Sequence, residues 1–216
     1  MRMRFAGLLV LSVLATSCTS EPASTPSSDY FCGMDSGSDG EKAVQRTLRS
    51  EQFITNYHVP TDTLVQRLGA GLRQMKPGGH TASHYTCAYQ PQPKKETKGV
   101  SVEFSWTSPS EPTWDRVPPE EITRYDVNGV RVESTYWLAK LSVACRLPGE
   151  LDEASRKAVF RAELSNTLNS ERRDDAEAEK RQVELLYILA GRATDALGCE
   201  GDPLKGDPVA KPVPTA

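Results

Sequence analysis

The sequence has few of the residues on which metal sites and common catalytic sites depend. It contains three histidines and five cysteines in 216 residues, and no two cysteines form a C-x-x-C pair. Four of the cysteines stand more than fifty residues apart, which argues against a zinc site with the usual ligand spacing. There is no G-x-S-x-G motif of the kind that carries the nucleophile of serine hydrolases. We therefore expect no catalytic residue, metal or cofactor of these familiar kinds.

The sequence also lacks an excess of positive charge. Its formal net charge is -3, and loss of Arg2 and Arg4 with an N-terminal leader would change it to about -5. An acidic chain has no electrostatic attraction for nucleic acid or for anionic lipid, so we expect no nucleic-acid partner.

The N-terminus has the order of an export signal. Two arginines precede an uncharged apolar run over residues 5–15, and small residues then lead to Cys18. The run is about ten residues, too short for a helix that spans a bilayer of roughly 30 Å. Leu14-Ala15-Thr16-Ser17-Cys18 resembles the lipobox of bacterial lipoproteins, although Ala15 stands where leucine is most common. This resemblance implies that Cys18 is lipidated and becomes the mature N-terminus; ordinary cleavage with release is the alternative.

The remaining four cysteines support an extracytoplasmic address. Outside the cytoplasm, an even set spread over the chain is most simply two disulfides, formed by Cys32, Cys87, Cys145 and Cys199. Three connectivities are open. A bridge from Cys199, at the end of a predicted helix, to Cys145 on a predicted strand would join two layers, with Cys32–Cys87 as its complement.

Composition divides the chain into four parts. Residues 1–17 form the predicted signal peptide, and residues 18–29, rich in Ser, Thr and Pro, form a flexible tether. Residues 30–202 are long enough for one disulfide-bonded domain with its own core. Residues 203–216 are predicted to be a flexible Pro-rich tail.

Hydrophobic periodicity predicts an α+β domain. A helix is expected from Thr61 or Asp62 to about Met75, after a loop over 33–40. A long helix with Asp174 and Asp175 in its first turn, and apolar enough over 183–197 to lie against the sheet, should end at Gly198. Strands are expected in four places: 83–90, 100–106, 124–133 as a hairpin around Asn128-Gly129, and 135–147, with Trp137 in the core.

Residues 157–166 fit a strand or a helix, and the neighbouring strands favour a strand. The predicted fold is therefore α+β, with an antiparallel sheet of four to five strands, an N-terminal helix and a long C-terminal helix packed on one face.

Several of these features occur together in one group of proteins. With LATSC at the leader, Cys32-Gly33, a cysteine on a strand and the closing LAGRATDALGCEGDPL, the chain resembles small actinobacterial secreted lipoproteins of unknown function. Some proteins with this layout are compared to PsbP-like folds. That resemblance implies a helix-covered antiparallel sheet without catalytic machinery.

Three groups of residues are candidates for a functional site. His80, His84 and Cys87 form an H-x3-H-x2-C cluster, but a disulfide at Cys87 would leave only exposed loop histidines. The carboxylate pairs Glu120-Glu121 and Asp174-Asp175 would serve a glycosidase only if two carboxylates faced each other across a cleft.

Trp114 and Asp115, in the Pro-rich loop 107–119, form the third group. Long loops often carry function, and Trp114 either folds back onto the domain or projects outward to a partner. We predict a non-catalytic, membrane-anchored extracytoplasmic lipoprotein that acts as a binding or interaction module. It would be held to the outer face of the cytoplasmic membrane by lipid on Cys18, with an envelope protein or glycan as partner. The alternative is a cell-envelope hydrolase with an unrecognised carboxylate or histidine site.

Overall fold

The computed structural model describes residues 29–57, 59–93, 98–114, 117–169 and 175–214. They form an α+β domain in which one antiparallel sheet packs against helices. The helices are α1 (Asp39–Leu48), α2 (Thr61–Gln74), α3 (Asp152–Arg156) and α4 (Ala176–Leu197). The strands are β1 (Phe53–Tyr57), β2 (His84–Pro91), β3 (Val100–Thr107), β4 (Thr123–Val127), β5 (Val130–Ser134), β6 (Leu138–Val143), β7 (Val159–Asn166) and β8 (Ala210–Pro212).

The sheet has eight strands in the order β1-β2-β3-β7-β6-β5-β4-β8, so the prediction of four to five strands was wrong. The class, a single antiparallel sheet with a long C-terminal helix, is confirmed. The unexpected strands are β1 and β8, one at each edge. Both are short, and β8 lies within the Pro-rich segment expected to be a flexible tail, where it pairs with β4. Edge strands need only one partner, so their sequences carry a weak strand pattern.

The predicted strands lie close to their expected positions. Residues 159–166 form β7, in agreement with the preferred interpretation of that segment. The hairpin of β4 and β5 turns at Asn128 and Gly129, whose φ angles are 53° and 84°, as a type I′ turn requires. The strand expected over 135–147 is shorter. It begins at Leu138, which leaves Trp137 in the preceding turn with 40% of its surface exposed, so its predicted place in the core was wrong.

The helices form one layer against the sheet. α4 packs on β6 and β7, α2 packs on β3, and α1 lies beside α4. The helix expected from Thr61 to about Met75 is α2. α1 was not predicted, because its start falls in a Gly/Ser/Asp-rich stretch. Ser38 nevertheless caps this helix by accepting a hydrogen bond from the Glu41 amide at 3.1 Å.

The core lies between this layer and the sheet. Phe104 stacks on Phe160 with ring centroids 5.5 Å apart, and Trp106 meets Phe160 edge-on. The Trp106 indole N–H donates to the Leu68 carbonyl of α2 at 3.1 Å, which joins sheet and helix.

The two disulfides have the connectivity that the positions of the cysteines favoured. Cys32 pairs with Cys87 at a Cα–Cα distance of 5.5 Å, and Cys145 pairs with Cys199 at 5.0 Å. The first bridge joins the segment before α1 to β2, and the second joins the segment after β6 to the end of α4. Such pairs are typical of an oxidising, extracellular environment.

Candidate binding site

The face of the sheet opposite the helices carries a row of charged side chains. The row contains one residue from each of five neighbouring strands, because antiparallel registry places their Cα atoms opposite one another. Its members alternate with core residues and so face away from the helices. They are Glu103 of β3, Glu163 of β7, Lys140 of β6, Glu133 of β5 and Arg124 of β4.

Two carboxylates meet at one end of this row. Glu103 lies directly opposite Glu163, and Glu163 is paired with Lys140 at 3.1 Å. The side chains of Glu163 and Lys140 are only 17% and 16% exposed. Burial raises the pKa of Glu103, and the charge of Glu163 raises it further, while Lys140 opposes the shift. The ion pair therefore supplies Glu163 with a partner, while Glu103 faces the charge of Glu163.

Glu133, further along the row, is the anchor for the Trp114 loop, which we define as residues 108–122. The Trp114 indole N–H donates to Glu133 Oε2 at 2.9 Å. The other carboxylate oxygen accepts from Arg131 at 2.8 Å and lies 3.5 Å from the Arg124 Nε. The Glu133 side chain is 13% exposed, so its contact with Trp114 is partly shielded from bulk water, whereas Arg131 is 64% exposed.

Trp114 is folded back onto the sheet. Its side chain is half-buried, and the Lys140 ammonium lies 5.1 Å from the ring centroid. At that distance a cation is attracted by the ring quadrupole. Lys140 thus contacts both Trp114 and Glu163, and the Trp114 loop is joined to the charged row at two points. Asp115 lies outside the described residues.

A cavity of about 460 Å³ lies between the Trp114 loop and the sheet. The loop contributes apolar surface from Pro112, Val117 and Ile122, and the sheet contributes charged groups. The cavity thus combines an aromatic ring with positively and negatively charged side chains. Such a lining suits a ligand that has both an apolar surface and hydrogen-bonding groups, such as a sugar ring or a peptide.

The other sequence candidates have different surroundings. Glu120 and Glu121 are exposed in a short 3₁₀ turn. Asp175 caps α4 through the Ala178 amide and pairs with Arg49, and these contacts lower its pKa. Asp174 and Cys18 lie outside the described residues.

The cluster of His80, His84 and Cys87 does not form a metal site with a thiolate, because Cys87 is in a disulfide. Within the described ranges, no group of three or more His, Cys, Asp or Glu side chains could hold a metal ion.

Sequence reasoning found Trp114 but missed its partners. Glu133 and Lys140 occupy polar positions in strands whose polar and apolar residues alternate. This alternation predicts which side chains face solvent, but not which residues of two strands lie opposite each other. Their meeting depends on which strands are neighbours, and only the sheet order supplies that.

Comparisons with known proteins add no further assignment. No family model, curated protein or solved structure matches the chain. No helix in the part of the chain that the structure describes is long and apolar enough to cross a membrane.

Proposed function

We propose that the protein is a non-catalytic extracytoplasmic lipoprotein, anchored by lipid on Cys18, that binds an envelope protein or glycan beneath the Trp114 loop. The observation that supports this best is the cavity bounded by Trp114, Glu133 and Lys140, where an aromatic ring and shielded charges are held in place by the sheet. The two disulfides agree with an oxidising compartment. The actinobacterial and PsbP-like resemblance stays a prediction.

Pre-organisation supports a binding role. Trp114 is held by one hydrogen bond and one cation–π contact, so ligand binding would not first have to order a free side chain. Rigid aromatic residues dominate binding energy at many interfaces because they bury a large area at small entropic cost.

The partner can be captured by a photo-crosslinking residue at Val117, which lines the cavity. We expect one saturable adduct in intact cells, lost when Trp114→Ala is added. The matched control is the same crosslinker at Gln66, an exposed position on α2. Equal adducts from both positions, or an adduct that survives Trp114→Ala, would count against this site.

The anchor has a separate test. Labelled palmitate should enter the wild-type chain but not Cys18→Ala, and the wild type should partition into the detergent phase. If Cys18→Ala incorporated the label, or if the wild type did not, the proposed lipid anchor would be contradicted. The proposed binding site would not be affected by either result.

The alternative, a cell-envelope hydrolase, has a different signature. It requires turnover of an envelope substrate by the purified protein and its loss on one substitution, such as Glu103→Gln in the carboxylate pair. Such a result would replace the binding proposal.

A further inference from the structure

A second cavity, of about 650 Å³, lies between α2 and the segment that precedes β2. We name it the α2 groove. It is lined from α2 by Arg67, Ala70 and Gly71, from the facing segment by His80 and Thr81, and from the first residue of β2 by His84. Met75 and Lys76 complete the end where α2 stops.

The facing wall of the α2 groove is held in place by the end of β3. The Thr81 amide donates to the Trp106 carbonyl at 2.9 Å, and its hydroxyl accepts from the Trp106 amide at 2.9 Å. Gly71 faces this wall, and a Cβ there would lie 3.4 Å from the Thr81 methyl carbon, in ordinary van der Waals contact. The groove is thus a built concavity between two fixed elements.

The α2 groove gathers basic side chains in an acidic protein. Arg67, Lys76, His80 and His84 all line it, and among the described residues no carboxylate does. Over the described residues, no carboxylate lies within ion-pair distance of Arg67 or Lys76. Of these four side chains, His80 has an acidic neighbour within the described ranges, since its Nδ1 lies 3.0 Å from Glu111 Oε1.

The protonation of His84 is coupled to the charge in the groove. Burial and the nearby Arg67 charge lower the pKa of His84, so the groove disfavours its own protonation. Arg67 and Lys76 are exposed and carry the positive charge of the groove, and an anion between them would be attracted by both. A guanidinium is the side chain best matched to a phosphate, which it can bind through two parallel hydrogen bonds.

We propose that the α2 groove binds a small soluble phosphate monoester, with its phosphate held by Arg67 and His84 and its organic part against Ala70 and Met75. A phosphate monoester carries about -1.5 to -2 charges at neutral pH, which matches several cations better than one carboxylate would. This site is independent of the cavity beneath the Trp114 loop, and so its failure would leave the proposed function standing.

The test uses phenyl phosphate as the probe and the purified full-length chain in detergent. Titration followed by amide NMR should give saturable binding with a Kd of about 1 mM or tighter, with the largest shifts at Gly71, Gly79 and Thr81. Phenol, which has the same ring without the phosphate, should not bind measurably. Inorganic phosphate should bind more weakly, because it lacks the organic part.

Arg67→Gln should weaken phenyl phosphate binding at least about tenfold, as loss of a charge-assisted contact requires. The matched control is Arg73→Gln, on the same helix and also exposed, whose side chain lines a different cavity with Glu150 and Glu153. It should change the Kd by less than about twofold. Lys76→Gln, at the rim, should have an intermediate effect.

Three outcomes would overturn the proposal. One is the absence of saturation by phenyl phosphate, and a second is equal loss of binding in Arg67→Gln and Arg73→Gln, which would indicate attraction by net charge alone. The third is binding to phosphatidic acid vesicles without binding to phenyl phosphate, which would assign the cations to a lipid surface. Unchanged amide spectra away from the α2 groove would establish that each variant is folded.

Discussion

Replacement of Trp114 by phenylalanine tests whether the hydrogen bond to Glu133 holds the Trp114 loop on the sheet. Phenylalanine keeps an aromatic face for Lys140 but removes the indole N–H, which donates to Glu133 at 2.9 Å. A hydrogen bond to a charged group contributes about 1.5–3 kcal/mol to stability. Because Glu133 keeps its contact with Arg131, no buried charge is left without a partner. We therefore expect the free energy of unfolding to fall by about 1.5 kcal/mol, at the lower end of this range.

The assay is urea unfolding with the disulfides intact, supported by thermal unfolding, where the same loss should lower the Tm by about 3–6 °C. Trp114→Leu removes the ring as well and should cost about 1 kcal/mol more, because the cation–π contact with Lys140 is also lost. Hydrogen exchange in the Trp114 loop should accelerate in both variants.

Trp137→Phe is the matched control. Trp137 is 40% exposed in a turn, so the same substitution there should change stability by less than about 0.5 kcal/mol. If Trp114→Phe and Trp137→Phe were equally stable, the indole hydrogen bond would not be what holds the Trp114 loop, and the argument for a pre-organised cavity would be refuted.

Three further predictions concern stability. Replacing Cys145 and Cys199 together by serine should cost about 4 kcal/mol in urea unfolding, since the bridge closes a loop with a sequence separation of 54; a loss below about 1 kcal/mol would contradict the loop-entropy estimate. Glu103→Gln should stabilise the protein by about 0.5 kcal/mol at pH 7, because Glu103 faces Glu163 and burial raises its pKa. A raised folded-state pKa means that the wild type loses stability as pH rises through that pKa, so the advantage of Glu103→Gln should fade on acidification; a pH-independent difference would refute this account. Ser38→Ala should cost about 1 kcal/mol through loss of the α1 cap, measured by thermal unfolding, and no change would show that the cap is dispensable.

Local patterns predicted the elements whose own residues specify them. α4 has an apolar stripe over more than four turns and ends at Gly198, whose φ of 74° is the left-handed conformation that glycine adopts readily. The Asn128-Gly129 pair specified its hairpin by the same kind of local chemistry. These elements could be predicted because no distant residue is needed to define them.

The two missed strands depend on distant partners. β1 forms a strand because it pairs with β2, and β8 because it pairs with β4, more than eighty residues before it. Trp137 was misplaced for a related reason, since alternation along a segment shows which residues share a face but not where pairing begins.

The candidate sites also contain some features that are visible in the sequence and others that depend on the tertiary structure. The unusual setting of Trp114 in a Pro-rich loop was visible in the chain, whereas its contacts with Glu133 and Lys140 were not. The α2 groove likewise joins residues from a helix and from the segment after it, and their common lining appears only when Gly71 and Thr81 approach each other.

By itself, the sequence determined the α+β class, the long C-terminal helix and the hairpin turn, because periodicity and backbone conformation are properties of neighbouring residues. Tertiary structure alone decided the eight-strand order, and with it the charged row and the cavity beneath the Trp114 loop. Glu103 and Glu163 are sixty residues apart in the chain, and β3 and β7 become neighbours only when they share one sheet. Different strand orders can bury the same apolar faces, and they differ only in which distant strands pair. No local pattern could therefore have specified the order.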